Sequence, residues 1–213
     1  VGAVAAYYLG QRVPAGQPRL YPNEGGTFAE ISRSVGIDMP VLVMGANYGD
    51  LDNDGFEDVY LGTGDPEFET LFPNVVLRNI DGERFVDATS GFRLGHLQKG
   101  HGVAFGDVDG DGDQDLFHQL GGFYPGDAYA NALFENPGGP ASWVTLRLRG
   151  VDANRGAIGA RVTVRASAGE RARTISRLVG PGGSFGGSSL QAESGLGTAE
   201  TIDEIRVIWP GSG

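Results

Sequence analysis

The segment GANYGDLDNDGFEDVYLGTG spans residues 45–64, and GVAFGDVDGDGDQDLFHQLG at residues 102–121 repeats it 57 positions later without a gap. Both copies fit the pattern G-x-x-[YF]-G-D-[LV]-D-x-D-G-x-x-D-[VL]-[YF]. Each copy places at least four aspartates and a glycine within nine residues, between two short apolar runs. Carboxylates this close repel one another at neutral pH unless a positive charge lies among them. We therefore expect a cation at each acidic loop.

The segments around the two loops also repeat. LYPNEGGTFAEIS at residues 20–32 resembles VLRNIDGERFVDAT at residues 76–89, and ALFENPGG at residues 132–139 is a shorter third copy. Alternating apolar and polar residues, interrupted by many glycines and prolines, predict short strands joined by turns. A period near 60 residues in an all-β pattern is typical of propeller blades with four strands each.

The sequence therefore predicts an all-β protein with two parts. We expect residues 1–140 to form a partial β-propeller of about two blades, and residues 141–213 to form a small antiparallel β-sandwich or barrel. The charge changes near this boundary, because residues 1–142 hold 21 acidic and 7 basic side chains, a net −14, whereas residues 143–213 hold 6 and 9, a net +3. Two blades cannot close a ring, so we expect another domain or chain to cover the open edges.

The composition excludes several classes of protein. A net charge of −11 argues against nucleic acid as a partner. The absence of cysteine excludes disulfides, cysteine-ligated zinc and thiol catalysis. No apolar run reaches the roughly 18–20 residues of a membrane-spanning helix, so we expect no transmembrane span in this chain. VGAVAAYYLG at residues 1–10 favours a strand, with the remnant of a processed signal or anchor as the alternative.

A hard divalent cation fits the two acidic loops. Calcium takes six to eight oxygen ligands, and alternate residues of a tight loop can point inward together, while glycine permits the backbone turn. The predicted ligands of two calcium sites are Asp50, Asp52, Asp54, the carbonyl of Phe56 and Asp58 in the first loop, and Asp107, Asp109, Asp111, the carbonyl of Asp113 and Asp115 in the second.

Other metal-site classes fit less well. An EF-hand needs Glu at position 12 and flanking helices, whereas position 12 is Leu61 in one loop and His118 in the other, and the flanks have a β pattern. Zinc is disfavoured because the ligands include no Cys or His, and magnesium prefers fewer carboxylates and more water. The remaining alternative is a solvated acidic turn without an ion.

Long motifs carry a resemblance to known families. GDLDNDGFEDVYLG (residues 49–62) and GDVDGDGDQDLF (residues 106–117) resemble the FG-GAP/VCBS repeats of integrin-type β-propellers. Three further segments, at residues 143–164, 180–189 and 194–213, resemble the ASPIC/UnbV domain of the cartilage acidic protein family, in its bacterial-type members. The resemblance implies extracytoplasmic binding modules that carry calcium in the acidic loops, with no reaction assigned.

The sequence shows no catalytic signature. It has no G-x-S-x-G motif, and its three histidines do not form a local triad with serine and aspartate. We expect His96 and His101 to hold the connection between strands, and His118 to be packed or at the rim of a strand. Trp143 and Trp209 mark the first and last C-terminal strands, where we expect both to be core aromatics.

The sequence predicts a non-enzymatic, calcium-stabilised module that works outside the cytoplasm, in the periplasm or as a secreted protein. Its expected partners are other protein subunits or extracellular protein ligands, and one hypothesis is an accessory subunit that stabilises a larger membrane-associated complex. An alternative of another class is a carbohydrate-binding or glycan-acting protein. GPGGSFGGSS at residues 180–189 lacks the Lys and Ser/Thr of a Walker loop, so its glycines are expected to let strands approach or turn.

Overall fold

A computed structural model describes residues 16–65 and 72–211. Fourteen strands make up almost all of the regular structure in these ranges, so the predicted all-β class is confirmed. The described residues also include one four-residue helix and one short 3₁₀ turn, and none of their helices has the length and apolar character needed to cross a membrane. The predicted strand at residues 1–10 lies outside the described residues.

The elements follow one another in this order. The strands are β1 (Asn23–Glu24), β2 (Thr27–Phe28), β3 (Val43–Gly49), β4 (Asp58–Thr63), β5 (Val75–Ile80), β6 (Arg84–Asp87), β7 (Gly100–Gly106), β8 (Asp115–Leu120), β9 (Ala132–Phe134), β10 (Ser142–Leu146), β11 (Arg161–Ala168), β12 (Arg171–Leu178), β13 (Ala192–Gly197) and β14 (Thr201–Ile208). The helix α1 (Thr89–Phe92) follows β6, and the 3₁₀ turn (Pro125–Asp127) lies between β8 and β9.

The repeat corresponds to two antiparallel sheets. The first has four strands in the order β3-β4-β5-β6, and the second has three in the order β7-β8-β9. Each acidic loop joins the first two strands of its sheet, as the sequence predicts. The register also repeats, because Val59 pairs with Leu77 in the first sheet and Leu116 pairs with Phe134 in the second. The two sheets are therefore structural copies of one unit.

The two sheets pack face to face. Tyr60 and Val76 of the first sheet are fully buried in a cluster with Val103, Phe105 and Leu116 of the second. The opposite face of the first sheet is covered by partly buried side chains from residues 20–41. Burial of these apolar side chains is the main term that holds the sheets together.

The C-terminal strands form two more antiparallel sheets, β10-β13 and β12-β11-β14, around one apolar cluster. This agrees with the predicted sandwich-like arrangement, and among the described strands no closed barrel forms. Trp209 packs against the cluster, as expected. The expectation for Trp143 is wrong, because this side chain is 42% exposed and lies over Gly112 of the second acidic loop.

The glycine-rich segment at residues 180–189 lies against both repeat sheets. Ala46 and Ser184 exchange two backbone hydrogen bonds of 3.1 and 2.6 Å. A Cβ atom at Gly186 would lie 1.8 Å from the carbonyl oxygen of Val103 in β7. The glycines therefore permit close backbone approach, as predicted, and dock the C-terminal sheets on the repeat sheets.

A Gly186→Ala substitution tests this close approach. The added methyl group meets the backbone of Val103, which cannot move aside like a flexible side chain, so we expect the unfolding free energy to fall by about 1–3 kcal/mol. Gly180→Ala is the matched control, since a Cβ atom there has no neighbour within 4 Å. Urea unfolding of both variants measures the difference, and equal stability would contradict the close packing of this segment.

Candidate metal centres

Asp50 is the most buried of the three carboxylates that cluster in the first acidic loop, with 2% of its surface exposed. Its Oδ2 accepts hydrogen bonds from Gly55 N at 3.0 Å, Arg177 Nη2 at 2.7 Å and Gly195 N at 3.2 Å. Its Oδ1 is buried and has no hydrogen-bond partner. A buried carboxylate oxygen without a donor is costly, so this atom marks a position that a cation would satisfy.

Three carboxylates of the first loop point to one place. Asp50, Asp52 and Asp54 each offer an oxygen, and these oxygens all lie within 4.8 Å of one another. Arg78 of β5 lies beside two of them, with its Nε 2.5 Å from Asp52 Oδ2 and its Nη2 3.6 Å from Asp54 Oδ2. This donor set of oxygens could hold one hard cation.

Two other predicted ligands of the first loop lie outside this group. Asp58 is fully buried, and its Oδ2 accepts from Leu51 N at 3.1 Å while its Oδ1 accepts from Asn79 N at 2.8 Å. The Asp58 side chain therefore clamps the loop to β5. Phe56 donates its backbone N–H to Asp54 Oδ1 at 2.9 Å.

The second loop brings together Asp107, Asp109 and Asp115, whose oxygens also lie within 4.8 Å of one another. Asp115 makes the same clamp as its first-loop counterpart, because it accepts from Val108 N at 2.9 Å and Asn136 N at 2.8 Å. This cluster is more open than the first, since Asp109 is exposed.

Asp111 and Asp113, the remaining predicted residues of the second loop, lie outside its carboxylate group. Asp111 Oδ1 accepts from Asp113 N at 3.0 Å. Asp113 Oδ1 accepts from Asn53 Nδ2 at 2.6 Å, and the same amide donates to Gly112 O at 3.1 Å. The two loops are therefore joined directly by the side chain of Asn53.

The two loops differ in their nearby cations. Arg78 and Arg177 both form ion pairs with the first loop. The repeat places Glu135 at the position of Arg78, and no Lys or Arg of residues 16–65 and 72–211 forms an ion pair with the second loop. The 57-residue alignment could have revealed the change from Arg78 to Glu135, but the position of Arg177 on β12 follows only from the tertiary structure.

Burial makes the charged form of these aspartates unfavourable. It raises the pKa of Asp50 to about 6, even though Arg177 acts in the opposite direction. It also raises the pKa of Asp58 to about 7, against the hydrogen bonds from Asn79 and Leu51. At both carboxylates, burial therefore outweighs the favourable contacts that would lower the pKa.

Comparison with known proteins bears on the C-terminal part. Residues 150–213 match the family described as ASPIC and UnbV. No curated protein matches the chain. The family match confirms the C-terminal part of the resemblance, whereas the FG-GAP/VCBS resemblance of the two loops stays a prediction.

The ASPIC/UnbV region supplies part of the surroundings of the first loop. Besides its bond to Asp50, Arg177 donates to Glu193 O at 2.9 Å and to Gly55 O at 3.3 Å. Gln114 of the second loop donates to Glu193 Oε2 at 2.5 Å and accepts from Asp50 N at 2.7 Å. These contacts connect both acidic loops to the C-terminal sheets.

His118 of β8 lies buried between the two repeat sheets and is fully shielded from solvent. Its Nδ1 lies 3.2 Å from the hydroxyl oxygen of Tyr60, and its Nε2 is buried without a partner. Burial lowers the pKa of His118 to about 4, and His96 and His101 lower it further. The structure therefore places it in the packed interior, one of its two expected locations, as a neutral side chain.

Protonation of His118 provides a pH test of this packing. Its pKa is lower in the folded protein than in the unfolded chain, so its contribution is complete above about pH 6.5 and is lost as pH falls to about 4. We expect this contribution to be roughly 2–3 kcal/mol of unfolding free energy. His118→Leu, which introduces the residue found at the repeat-equivalent Leu61, should weaken the acid destabilisation.

Two measurements check the His118 prediction. Denaturant unfolding at about pH 7 and about pH 5 gives the pH dependence of stability for both proteins. Titration of the imidazole followed by NMR gives the pKa directly. A midpoint near 6.5, or an unchanged pH dependence in the variant, would contradict a buried neutral His118.

Proposed function

We propose that this chain is a calcium-stabilised, non-enzymatic module that binds other proteins outside the cytoplasm. The observation that carries the proposal is the unpartnered, buried Oδ1 of Asp50 within a group of three carboxylates. A second group of three carboxylates lies in the repeated loop, at its first, third and ninth positions rather than its first, third and fifth. Two equivalent loops with oxygen donors support a metal role more strongly than one acidic turn would.

Calcium fits the donor chemistry of both loops. All donors are oxygens, and calcium tolerates irregular geometry and several carboxylates better than magnesium does. The ion would be held by Asp50, Asp52 and Asp54 in the first loop, and by Asp107, Asp109 and Asp115 in the second. It would supply positive charge that neutralises the loop and fixes the turn between two strands.

The role proposed for the metal is structural. In both loops, the carboxylate at the ninth position already bonds to two backbone amides, so an ion would add to a turn that the chain has shaped. No hydrogen bond joins a serine or threonine hydroxyl to a histidine in residues 16–65 and 72–211. Both points support a binding module over an enzyme.

The expected location and partners follow from the same features. Extracellular calcium modules often have dissociation constants of about 10⁻⁴–10⁻³ M, so loops of this kind fill where calcium is abundant. Several large apolar side chains are exposed on the described surface, among them Phe117, Phe123 and Leu133. Exposed apolar groups support contacts with protein partners, including the hypothesis of an accessory subunit in a membrane-associated complex.

Removal of calcium tests the metal part of this proposal. At about 5 mM calcium and the weak affinity expected, each site should stabilise the fold by about 1–2 kcal/mol. This corresponds to a rise of several degrees in Tm for a domain of this size, roughly 2–4 °C per kcal/mol. Differential scanning calorimetry with calcium, with excess chelator and with magnesium measures the effect.

Variants of the two loops sharpen the calcium experiment. Asp107→Asn should reduce the calcium-dependent rise in Tm, whereas Asp152→Asn, at an exposed turn, should leave it unchanged. Glu135→Arg introduces the cation that Arg78 provides in the first loop, so it should stabilise the calcium-free protein and reduce the effect of the ion. An identical Tm with calcium and with chelator would overturn the calcium proposal.

One observation favours carbohydrate binding as a second candidate function. Trp143 is 42% exposed and lies over Gly112 in the second acidic loop. An exposed indole beside a calcium loop could stack on a sugar ring while the ion coordinates its hydroxyls.

Indole fluorescence tests the carbohydrate candidate. If sugars bind there, an oligosaccharide from a glycan panel should change the Trp143 emission only when calcium is present. Trp143→Phe should abolish this change. No hit on the panel, or a response that persists in the variant, would exclude this candidate and leave the protein-binding proposal in place.

A further inference from the structure

The second repeat sheet has an open edge. In the first sheet, β6 pairs with β5 and covers its outer edge. The residues equivalent to β6, at positions 141–144, begin β10 instead, and β10 pairs with β13 of the C-terminal sheets. Strand β9 therefore ends the second sheet, with no fourth strand among the described residues.

The first sheet shows which backbone groups face this edge. Val76 N donates to Thr89 Oγ1 at 3.0 Å, and Val76 O accepts from Ala88 N at 3.0 Å, both on the outer side of β5. Leu133 is the repeat equivalent of Val76, and no residue of the ranges 16–65 and 72–211 bonds to its backbone on that side. Its N–H and C=O are therefore open to an added strand.

The side chain of Leu133 is also uncovered. It is 56% exposed, whereas its counterpart Val76 is buried against the facing second sheet. A cleft of about 870 Å³ lies beside the edge, within the size range of ligand pockets. Its walls include Phe92, Arg93, Leu94, Leu133, Phe134 and Glu135.

We propose that the open edge of β9 and this cleft bind an extended segment of a partner protein, which completes the second sheet as its fourth strand. The proposal rests on the protein-binding part of the proposed function and names the surface and the mode of binding. Backbone hydrogen bonds to the edge give affinity, and alternate side chains give specificity in this kind of strand addition.

The first sheet defines the chemistry of the bound segment. Phe85 of β6 packs on a cluster that includes Leu77, and the repeat equivalent of Leu77 is Phe134 in the wall of the cleft. A phenylalanine at the Phe85 position would therefore enter the cleft. A backbone N–H at the Ala88 position would donate to the carbonyl of Leu133, and a Thr hydroxyl at the next position would accept from the N–H of Leu133. The expected segment is therefore similar to GERFVDAT at residues 82–89.

A synthetic peptide with the sequence of residues 82–89 is the probe. We expect saturable binding of the fluorescently labelled peptide to the full chain, measured by fluorescence anisotropy. Replacing Phe85 by Ser, or methylating the backbone nitrogen at Ala88, should weaken binding by at least about tenfold, because each removes one of the recognised groups. These changes leave the protein itself unaltered.

Variants of the protein give the reciprocal test. Leu133→Pro removes the outward N–H without removing a bond to β8 and should weaken binding by about tenfold, whereas Val151→Pro at a distant exposed turn should not. Absence of saturable binding, or equal binding of the N-methylated peptide, would overturn the proposal. So would a dimer in sedimentation that the peptide cannot dissociate, since a second copy would then occupy the edge.

Repeating the titration with chelator separates this inference from the calcium proposal. Binding that survives without calcium supports the strand-addition site even if the metal part fails. A calcium-dependent Tm without peptide binding would support the calcium proposal and contradict the strand-addition site.

Discussion

The structure depends on the compensation of negative charge around Asp50. The Oδ2 atom of this buried carboxylate accepts hydrogen bonds from Gly55 in its own loop, from Arg177 of β12 and from the backbone N–H of Gly195 in β13. Loss of its charge balance would disturb the first loop and the docking of the C-terminal sheets together. A buried charge with one oxygen satisfied and one oxygen free is a position where an added cation has a large effect.

The repeat allowed the fold class and the acidic loops to be predicted, because both depend on local patterns. Alternating apolar residues predicted the strands around each loop. The spacing of the aspartates predicted that their carboxylates lie close together. Each group in the structure contains three carboxylates, whereas Asp58 clamps its loop to β5, a role that the spacing does not indicate. Hydrogen bonds between a carboxylate and amides of a different strand have no signature in residue spacing.

Long-range contacts explain what the sequence could not predict. Arg177 lies far from the first loop along the chain, and only the packing of the C-terminal sheets brings it there. Trp143 was expected in the core because tryptophan is usually buried. It lies in β10, which pairs with β13 of the C-terminal sheets, and its indole lies over the second loop. Because β10 pairs with β13, the second sheet has no fourth strand among the described residues.

The positions at which the two copies of the repeat differ are therefore the most informative. Where both copies keep a residue, as at Asn79 and Asn136, the side chain maintains the shared architecture, because its amide donates to the carbonyl of the residue before the clamping aspartate in each copy. Where they differ, the surroundings differ as well: Arg78 offsets charge at the first loop, whereas Glu135 holds the equivalent position in the second copy and lines the cleft beside the open edge. The second loop and its edge thus combine an uncompensated charge with an incomplete sheet, two properties that a cation and an added strand would each correct.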